Sequence, residues 1–231
     1  MKVRVAIIDS GVHAAHPHIG GVAGGVGIDE NGCRHGDYVD RLGHGTAVTA
    51  AIKEKAPEAE LYAVKVFDRV LSARIASLVA AIEWAAEQGM HVANLSLGSA
   101  RLEYEQMLRT AVERAASRGT IIVAARDEDG VRWLPGSLPG VIPVQLDASC
   151  PRDTYRAVTI DGTTVFRASG FARPPDGVPP ERNLNGISFA VANMTGAVAR
   201  TLERLPGASM RGLVAELVAG PERSFRSATG R

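Results

Sequence analysis

Hydrophobic residues along this chain form short unbroken runs that alternate with longer segments of helical periodicity. The first run, residues 3–9 (VRVAIID), is apolar at successive positions, which is typical of a strand buried on both faces of a sheet. Similar runs predict strands at 59–67, 91–98, 120–126 and 140–146. Apolar residues spaced three or four positions apart predict helices at 44–56, 72–89, 102–119, 188–205 and 210–220.

The regular alternation of strand and helix predicts βαβ units. We therefore expect an α/β fold with three layers, in which helices cover both faces of a mainly parallel central sheet. Residues 10–43 are glycine-rich and predict a loop with one short strand at most, and residues 147–185 predict short strands and proline-rich loop. The prediction is one domain over 1–220, followed by a polar tail at 221–231.

Composition narrows the classes of function. The 231 residues carry 26 Lys and Arg against 25 acidic residues, a net charge of +1 that argues against nucleic-acid or membrane-surface binding driven by bulk charge. No apolar run approaches the roughly 18 residues that a membrane span needs. The N-terminus is unlike a secretion signal, so a cytoplasmic location is expected. Cys33 and Cys150 imply no disulfide framework, and reduced thiols are favoured over a disulfide.

Candidate chemistry lies where predicted strands end and helices begin. Asp9, Ser96 and Asp127 follow strands, at the sheet edge where ligands of open α/β sheets bind. His44 and Ser188 each begin a predicted helix. A carboxylate that orients an imidazole, which deprotonates a hydroxyl, is what a serine nucleophile needs. Individually, each residue has an ordinary structural alternative: a turn residue, a half-buried histidine and a helix N-cap.

The chain order Asp, His, Ser is that of the subtilisin type of triad. Residues 6–19 (AIIDSGVHAAHPHI), 43–50 (GHGTAVTA) and 185–199 (NGISFAVANMTGAVA) resemble the aspartate, histidine and serine motifs of the subtilases. LYAVKVF and NLSLG are similar to strands around the cleft of that family. The resemblance, which runs from about residue 3 to 205, implies that Ser188 is the nucleophile, His44 the general base and Asp9 its orienting carboxylate.

The same resemblance implies how a substrate binds. Ser96, Leu97 and Gly98 would form the edge along which an extended peptide pairs through its main chain. It implies no cofactor or metal, because the calcium-binding loop of secreted subtilases is absent after the histidine helix. His13, His16 and His18 resemble a zinc cluster in spacing, but His16-Pro17 matches a His-Pro of the family, which favours a structural role.

The chain also departs from the family pattern. Asp127 stands where subtilases have the asparagine that donates to the oxyanion, which predicts weakened catalysis unless Asp127 is protonated or a backbone N–H replaces it. Arg126 replaces a glycine beside the P1 pocket, next to Ala125, and Trp133 is expected at the far end of the pocket. These residues predict a small P1 residue, or an acidic one paired with Arg126. Ile187 and Ala192-Asn193 replace the usual Thr and Pro-His.

Two functions from different classes remain open. The first is a compact serine endopeptidase acting on a peptide or protein, such as one that removes leaders from ribosomally made natural products. A partner protein from the same biosynthetic cluster is then a further candidate. The second, favoured by Asp127, is a pseudoprotease that binds a peptide or protein without cutting it.

Overall fold

A computed structural model describes residues 2–128, 130–175, 177–179 and 182–220 of the chain. Its strands are β1 (Arg4–Asp9), β2 (Gly24–Ile28), β3 (Arg34–His35), β4 (Glu60–Lys65), β5 (Val92–Leu95), β6 (Ile121–Ala125), β7 (Asp127–Glu128), β8 (Val131–Arg132), β9 (Val141–Leu146), β10 (Tyr155–Ile160) and β11 (Thr163–Ala168). Its helices are α1 (His44–Lys55), α2 (Ile75–Glu87), α3 (Glu105–Ser117), α4 (Ile187–Arg204) and α5 (Met210–Ala219).

Nine of these strands form one sheet, in the order β10-β11-β9-β6-β5-β1-β4-β2-β3. Every pair in the central part is parallel, and only the edge pairs β10–β11 and β2–β3 are antiparallel. The remaining strands, β7 and β8, pair as a separate small hairpin. The carboxyl ends of β1, β5 and β6 therefore lie side by side, which brings Asp9, Ser96 and the residues after Ala125 to one edge.

Strand β1 explains why the predicted strands lack an alternating pattern. Its residues Val5 and Ile7 belong to the core that contains α1, α4 and α5, whereas Ala6 and Ile8 belong to the core that contains α2 and α3. All four side chains are fully buried. The three-layer α/β fold predicted from the sequence is confirmed.

The structure differs from the predicted elements mainly outside this framework. Residues 10–43 contain two short strands, and 147–185 contain the β10–β11 hairpin, whose antiparallel pairing closes one sheet edge. The β7–β8 hairpin was not predicted, because its strands have two residues each and no hydrophobic pattern. None of the described helices has the length and apolar composition needed to cross a bilayer. The predicted tail, 221–231, lies outside the described residues.

Candidate active site

Asp9 and His44 meet at the carboxyl edge of the sheet. Asp9 is the last residue of β1, His44 is the first of α1, and Oδ1 of Asp9 lies 2.7 Å from Nδ1 of His44. The Asp9 side chain is fully buried, and 18% of the His44 side chain is exposed. The same Oδ1 accepts the backbone N–H of Ser10 at 2.7 Å. A buried carboxylate thus orients an imidazole whose other edge faces the surface.

A glycine makes this approach sterically feasible. A Cβ at Gly45, the residue after His44, would lie 2.2 Å from the carbonyl oxygen of Gly11, which is closer than real Cβ atoms come to backbone. The first turn of α1 therefore packs directly on the loop that follows β1. This contact is the physical reason for glycine in the GHGT sequence.

The surroundings of His44 raise its pKa above the ordinary value of 6.5. Burial by itself lowers the pKa, but the hydrogen bond and negative charge of Asp9, with the charge of Asp40, outweigh it. The raised pKa stabilises the fold below pH 6.5, and that contribution is lost as the pH rises through the folded-state pKa. As a general base, the neutral imidazole then predominates only above pH 6.5.

Ser188 lies in the first turn of α4. The N-cap of this helix is Gly186, without a side-chain capping bond, so the capping interpretation of Ser188 is wrong. The Ser188 hydroxyl instead donates to the carbonyl oxygen of Ser96 at 3.3 Å. Upstream, the N–H of Gly186 donates to the carbonyl of Gly170 at 2.9 Å, which holds the approach to the helix.

Ser188 and His44 line one pocket of about 220 Å³. The ring of Phe189 lies 5.6 Å from the His44 ring, so the start of α4 packs beneath the imidazole. Among the described residues, no hydrogen bond joins Ser188 to His44. The first N–H groups of a helix have no intrahelical acceptor, so the Ser188 end of α4 presents donors and positive potential at this pocket.

Five of the predicted substrate-binding residues line the pocket with Ser188: Ser96, Leu97, Gly98, Ala125 and Trp133. A Cβ at Gly98 would lie 2.6 Å from the carbonyl oxygen of Leu134. Only glycine therefore allows the backbone at residue 98 to pack this closely against the backbone of Leu134. Four further residues line the pocket without having been predicted there, namely Phe67, Leu71, Glu128 and Ile187. Phe67 and Leu71 follow β4, Glu128 lies in the unpredicted β7, and Ile187, noted above only as a departure from the family motif, begins α4.

The other two predicted residues, Arg126 and Asp127, are not among those that line this pocket. Their side chains form an ion pair with each other. Asp127 Oδ1 also accepts from Nε2 of Gln145 on β9 at 2.6 Å, and Arg126 lies 3.4 Å from Asp161. These partners engage the Arg126 guanidinium in this structure, so it would have to exchange them to pair with an acidic P1 residue.

The three histidines near the N-terminus have structural contacts. His13 donates its backbone N–H to Thr46 Oγ1 at 3.0 Å, and the His16 and His18 rings pack edge to face at 5.1 Å. Within the described part of the chain, no group of three His, Cys, Asp or Glu side chains is arranged to hold a metal ion. Cys33 is exposed, Cys150 is buried, and both are free.

Two further residues support the site: Asp40, which was not predicted from the sequence, and Asn193, which was noted only as a departure from the family motif. Asp40 accepts hydrogen bonds around the start of α1, and its position three residues before Gly43 is a turn signal that could have identified it. Asn193 lies in α4, where its amide donates to the carbonyls of Ser169 and Phe171 at 2.9 and 3.1 Å. These bonds hold the segment that precedes Ser188.

Comparisons with known sequences identify proteins that this chain is similar to. The profile described as "Subtilase family" matches residues 1–165, which include Asp9 and His44. A thermostable alkaline protease of Halalkalibacterium halodurans is 38% identical over 224 residues, covering 88% of this chain and 57% of that protein. Subtilisin Savinase of Lederbergia lenta is 39% identical over 225 residues, covering 88% of this chain and 77% of that protein. Thus the chain spans little more than half of the first relative.

Solved structures show the same fold. A cold-adapted subtilisin-like serine proteinase superposes with a TM-score of 0.71 at 21% identity, covering 99% of this chain and 85% of that one. The S41 psychrophilic protease superposes with a TM-score of 0.72 at 24% identity, covering 94% and 82%.

Proposed function

Since this chain belongs to the subtilase family, we propose that it is a compact serine endopeptidase that hydrolyses peptide bonds with Asp9, His44 and Ser188. The observation that supports this most directly is the 2.7 Å contact between buried Asp9 and His44, in a site where Ser188 lines the same pocket. The relatives named above are proteases, which agrees with this reaction class.

In the proposed reaction, Ser188 attacks the scissile carbonyl while His44 Nε2 takes its proton. Asp9 accepts the Nδ1–H bond and stabilises the imidazolium that forms. The hydroxyl must first leave the Ser96 carbonyl, to which it now donates at 3.3 Å. A hydrogen bond of that length is weak for a hydroxyl donor, so replacing it with a bond to the imidazole costs little free energy.

The oxyanion needs donors, and the structure offers one class of them. The orphan backbone N–H groups at the start of α4 point their dipoles toward charge that develops near Ser188. A second donor, from an asparagine side chain, is missing where Asp127 stands. The Asp127 carboxylate is held by Arg126 and Gln145, which limits its repulsion of the oxyanion. We therefore propose weakened catalysis rather than its loss.

Asp127→Asn should raise kcat about ten- to a hundredfold at neutral pH. This is below the full value of an oxyanion donor, about 10²–10³, a range measured in a subtilisin, because Gln145 would still bind the new amide part of the time. Steady-state cleavage of a quenched fluorescent peptide measures the change. Asp127→Ala is the matched control, since it removes the carboxylate without supplying a donor. An Asn variant with unchanged or lower kcat contradicts the assignment.

The pocket predicts selectivity at P1. The pocket holds about 220 Å³, and the bulky Trp133 and Ile187 and the acidic Glu128 are among the residues that line it. We expect peptides with Ala or Ser at P1 to be cleaved at least about tenfold faster, in kcat/KM, than those with Phe or Asp. A peptide library varied at P1 measures this preference.

Trp133→Ala provides the control for the P1 prediction, because it enlarges the pocket while Glu128 stays. The variant should accept larger apolar P1 residues and still reject Asp. A parent chain that prefers aromatic P1 residues would show that Trp133 does not limit the pocket.

A second candidate is a pseudoprotease that binds a peptide without cutting it. Asp127, which stands in the sequence where the family has its oxyanion asparagine, and the Ser188 bond to Ser96 favour it. Labelling with a fluorophosphonate separates the two functions. Stoichiometric modification of Ser188 that disappears in His44→Ala supports the endopeptidase, whereas a folded chain that does not label supports the binder.

Removal of leader peptides from natural-product precursors is the finer form of our proposal. A narrow P1 pocket suits selective cleavage of one peptide better than general degradation. The proposed substrate is thus a peptide or protein. We further propose that this chain acts in the cytoplasm and works with a partner protein from the same biosynthetic cluster. Single-site cleavage of a precursor, as opposed to cleavage of unfolded casein at many sites, would support it.

A further inference from the structure

Asp40 lies between the two elements that carry Asp9 and His44. It is half-buried in the loop before α1, and neither the triad nor the substrate pocket includes it. Its carboxylate accepts five hydrogen bonds, an unusually large share for one side chain, since two oxygens have about four lone-pair sites. A carboxylate that accepts this many hydrogen bonds is held in one position and fixes the groups that donate to it.

The five bonds come from the residue after β1, from the two residues before α1 and from the first turn of α1. Oδ1 accepts from the Ser10 hydroxyl at 2.9 Å and from the N–H groups of Leu42 and Gly43, both at 2.9 Å. Oδ2 accepts from the N–H and the hydroxyl of Thr46, at 2.9 and 2.6 Å. Ser10 directly follows Asp9, and Gly43 and Thr46 flank His44.

The connection continues through Ser10. Its hydroxyl oxygen accepts the N–H of Gly45 at 2.9 Å while its proton goes to Asp40. Helix α1 has no capping bond from its own N-cap, Gly43, and no acidic residue in its first turn. Asp40 therefore supplies the cap that α1 lacks, and the same carboxylate ties that cap to the end of β1.

We propose that Asp40 is a positioning residue that sets the register of His44 against Asp9 and adds a negative charge beside the imidazole. The proposal rests on the proposed function for its catalytic consequence. It concerns the free chain, so its geometry can be tested without substrate.

Three carboxylates of the described residues lie near His44 or line its pocket. Asp9 faces it from β1, Asp40 from the preceding loop, and Glu128 lines the shared pocket from β7. Asp40 is ionised at neutral pH: burial raises its pKa, but hydrogen bonds from Thr46, Leu42 and Ser10 lower it overall. The charge of Asp40 raises the pKa of His44, so its loss moves that pKa down.

The test compares Asp40→Asn with Asp37→Asn in the full chain. Asp37 lies in the same loop, but its carboxylate accepts from Arg41 and Val39 and lies 3.6 Å from Lys65, and no hydrogen bond among the described residues joins it to Ser10 or α1. We expect Asp40→Asn to lower kcat about ten- to a hundredfold with KM little changed, since misplacement of a catalytic group by about 1 Å can cost about a hundredfold. The acid limb of the pH profile should move to lower pH. Asp37→Asn should match the parent in both.

Nuclear magnetic resonance provides a readout that needs no proteolysis. In the parent and in Asp37→Asn, the His44 Nδ1 proton should give a slowly exchanging downfield signal, and its Cε1 proton should titrate at the higher pH. In Asp40→Asn the Nδ1 signal should be lost and the titration should move down. The Nδ1 signal and the Cε1 titration can both be measured in a chain that cleaves no peptide. Failure of the proposed function is therefore distinguishable from failure of this inference.

Ser10→Ala keeps the proposal testable if Asp40→Asn does not fold. It removes the link to β1 but leaves the Asp40 charge, so it should weaken the Nδ1 signal without lowering the His44 titration. A folded Asp40→Asn chain with parental kcat, Nδ1 signal and titration overturns the proposal. A downward titration with the Nδ1 signal and kcat intact overturns the positioning role.

Discussion

Ser188→Ala should lower kcat for peptide hydrolysis by about a millionfold, a size known for loss of the nucleophile in a subtilisin. The physical reason is that no other described hydroxyl shares the proposed geometry, at the start of α4 and in one pocket with His44. Ser96 lines the same pocket, but its hydroxyl accepts the amide of Asn94 at 2.9 Å. The measurement is single-turnover cleavage at high enzyme concentration, with loss of fluorophosphonate labelling as a second readout.

Ser117→Ala is the control for this prediction. Ser117 ends α3, its hydroxyl donates to the carbonyl of Arg114 at 2.8 Å, and it is not among the residues that line the pocket. This variant should keep the kcat of the parent and its labelling. If Ser188→Ala retained more than about a hundredth of the parental kcat, with an unchanged fold, the nucleophile would be another residue.

Asp9→Asn should lower kcat by about 10⁴-fold, the loss seen when the orienting carboxylate of other serine proteases is replaced. An asparagine amide can donate to Nδ1, which favours the tautomer that carries its proton on Nε2 and cannot act as a base there. The change is nearly isosteric, so packing around this fully buried position is preserved. Thermal unfolding of both chains checks that the fold persists.

The pH dependence of activity should also change in a defined direction in Asp9→Asn. Asp9 raises the pKa of His44, so its loss lowers that pKa, and the acid limb of the residual activity should move to lower pH. Parental activity should fall as the pH drops below the His44 pKa, which lies above 6.5. An unmoved acid limb in Asp9→Asn would mean that His44 is not the titrating base, or that Asp9 does not act on it.

Much of the architecture was predictable because local patterns carry it. Residues 3–9 have the continuous apolar run that a strand buried on two faces requires, and the structure buries Val5 and Ile7 on one face and Ala6 and Ile8 on the other. The glycines Gly89 and Gly119 were sufficient to predict where two helices end. The β7–β8 hairpin was not, because pairs of two residues have no periodicity to detect.

The candidate site divides in the same way. The motifs around Asp9, His44 and Ser188 identified those residues, since each motif contains local steric requirements such as the close contact of Gly45 with Gly11. Arg126 was assigned to the P1 pocket and Asp127 to the oxyanion position from their alignment with the family pattern. The structure pairs them with each other and with Gln145 and Asp161, groups that lie 18 and 35 residues away from their partners.

The amino-acid order alone thus determined the α/β class and the sheet-forming runs, and it selected the three residues that we propose to react, because each depends on neighbours along the chain. The folded chain decided which charges face the pocket, that Ser188 is not a cap, and that Asp40 joins β1 to α1. Those outcomes depend on distances between distant segments, and neither periodicity nor motif spacing contains such distances.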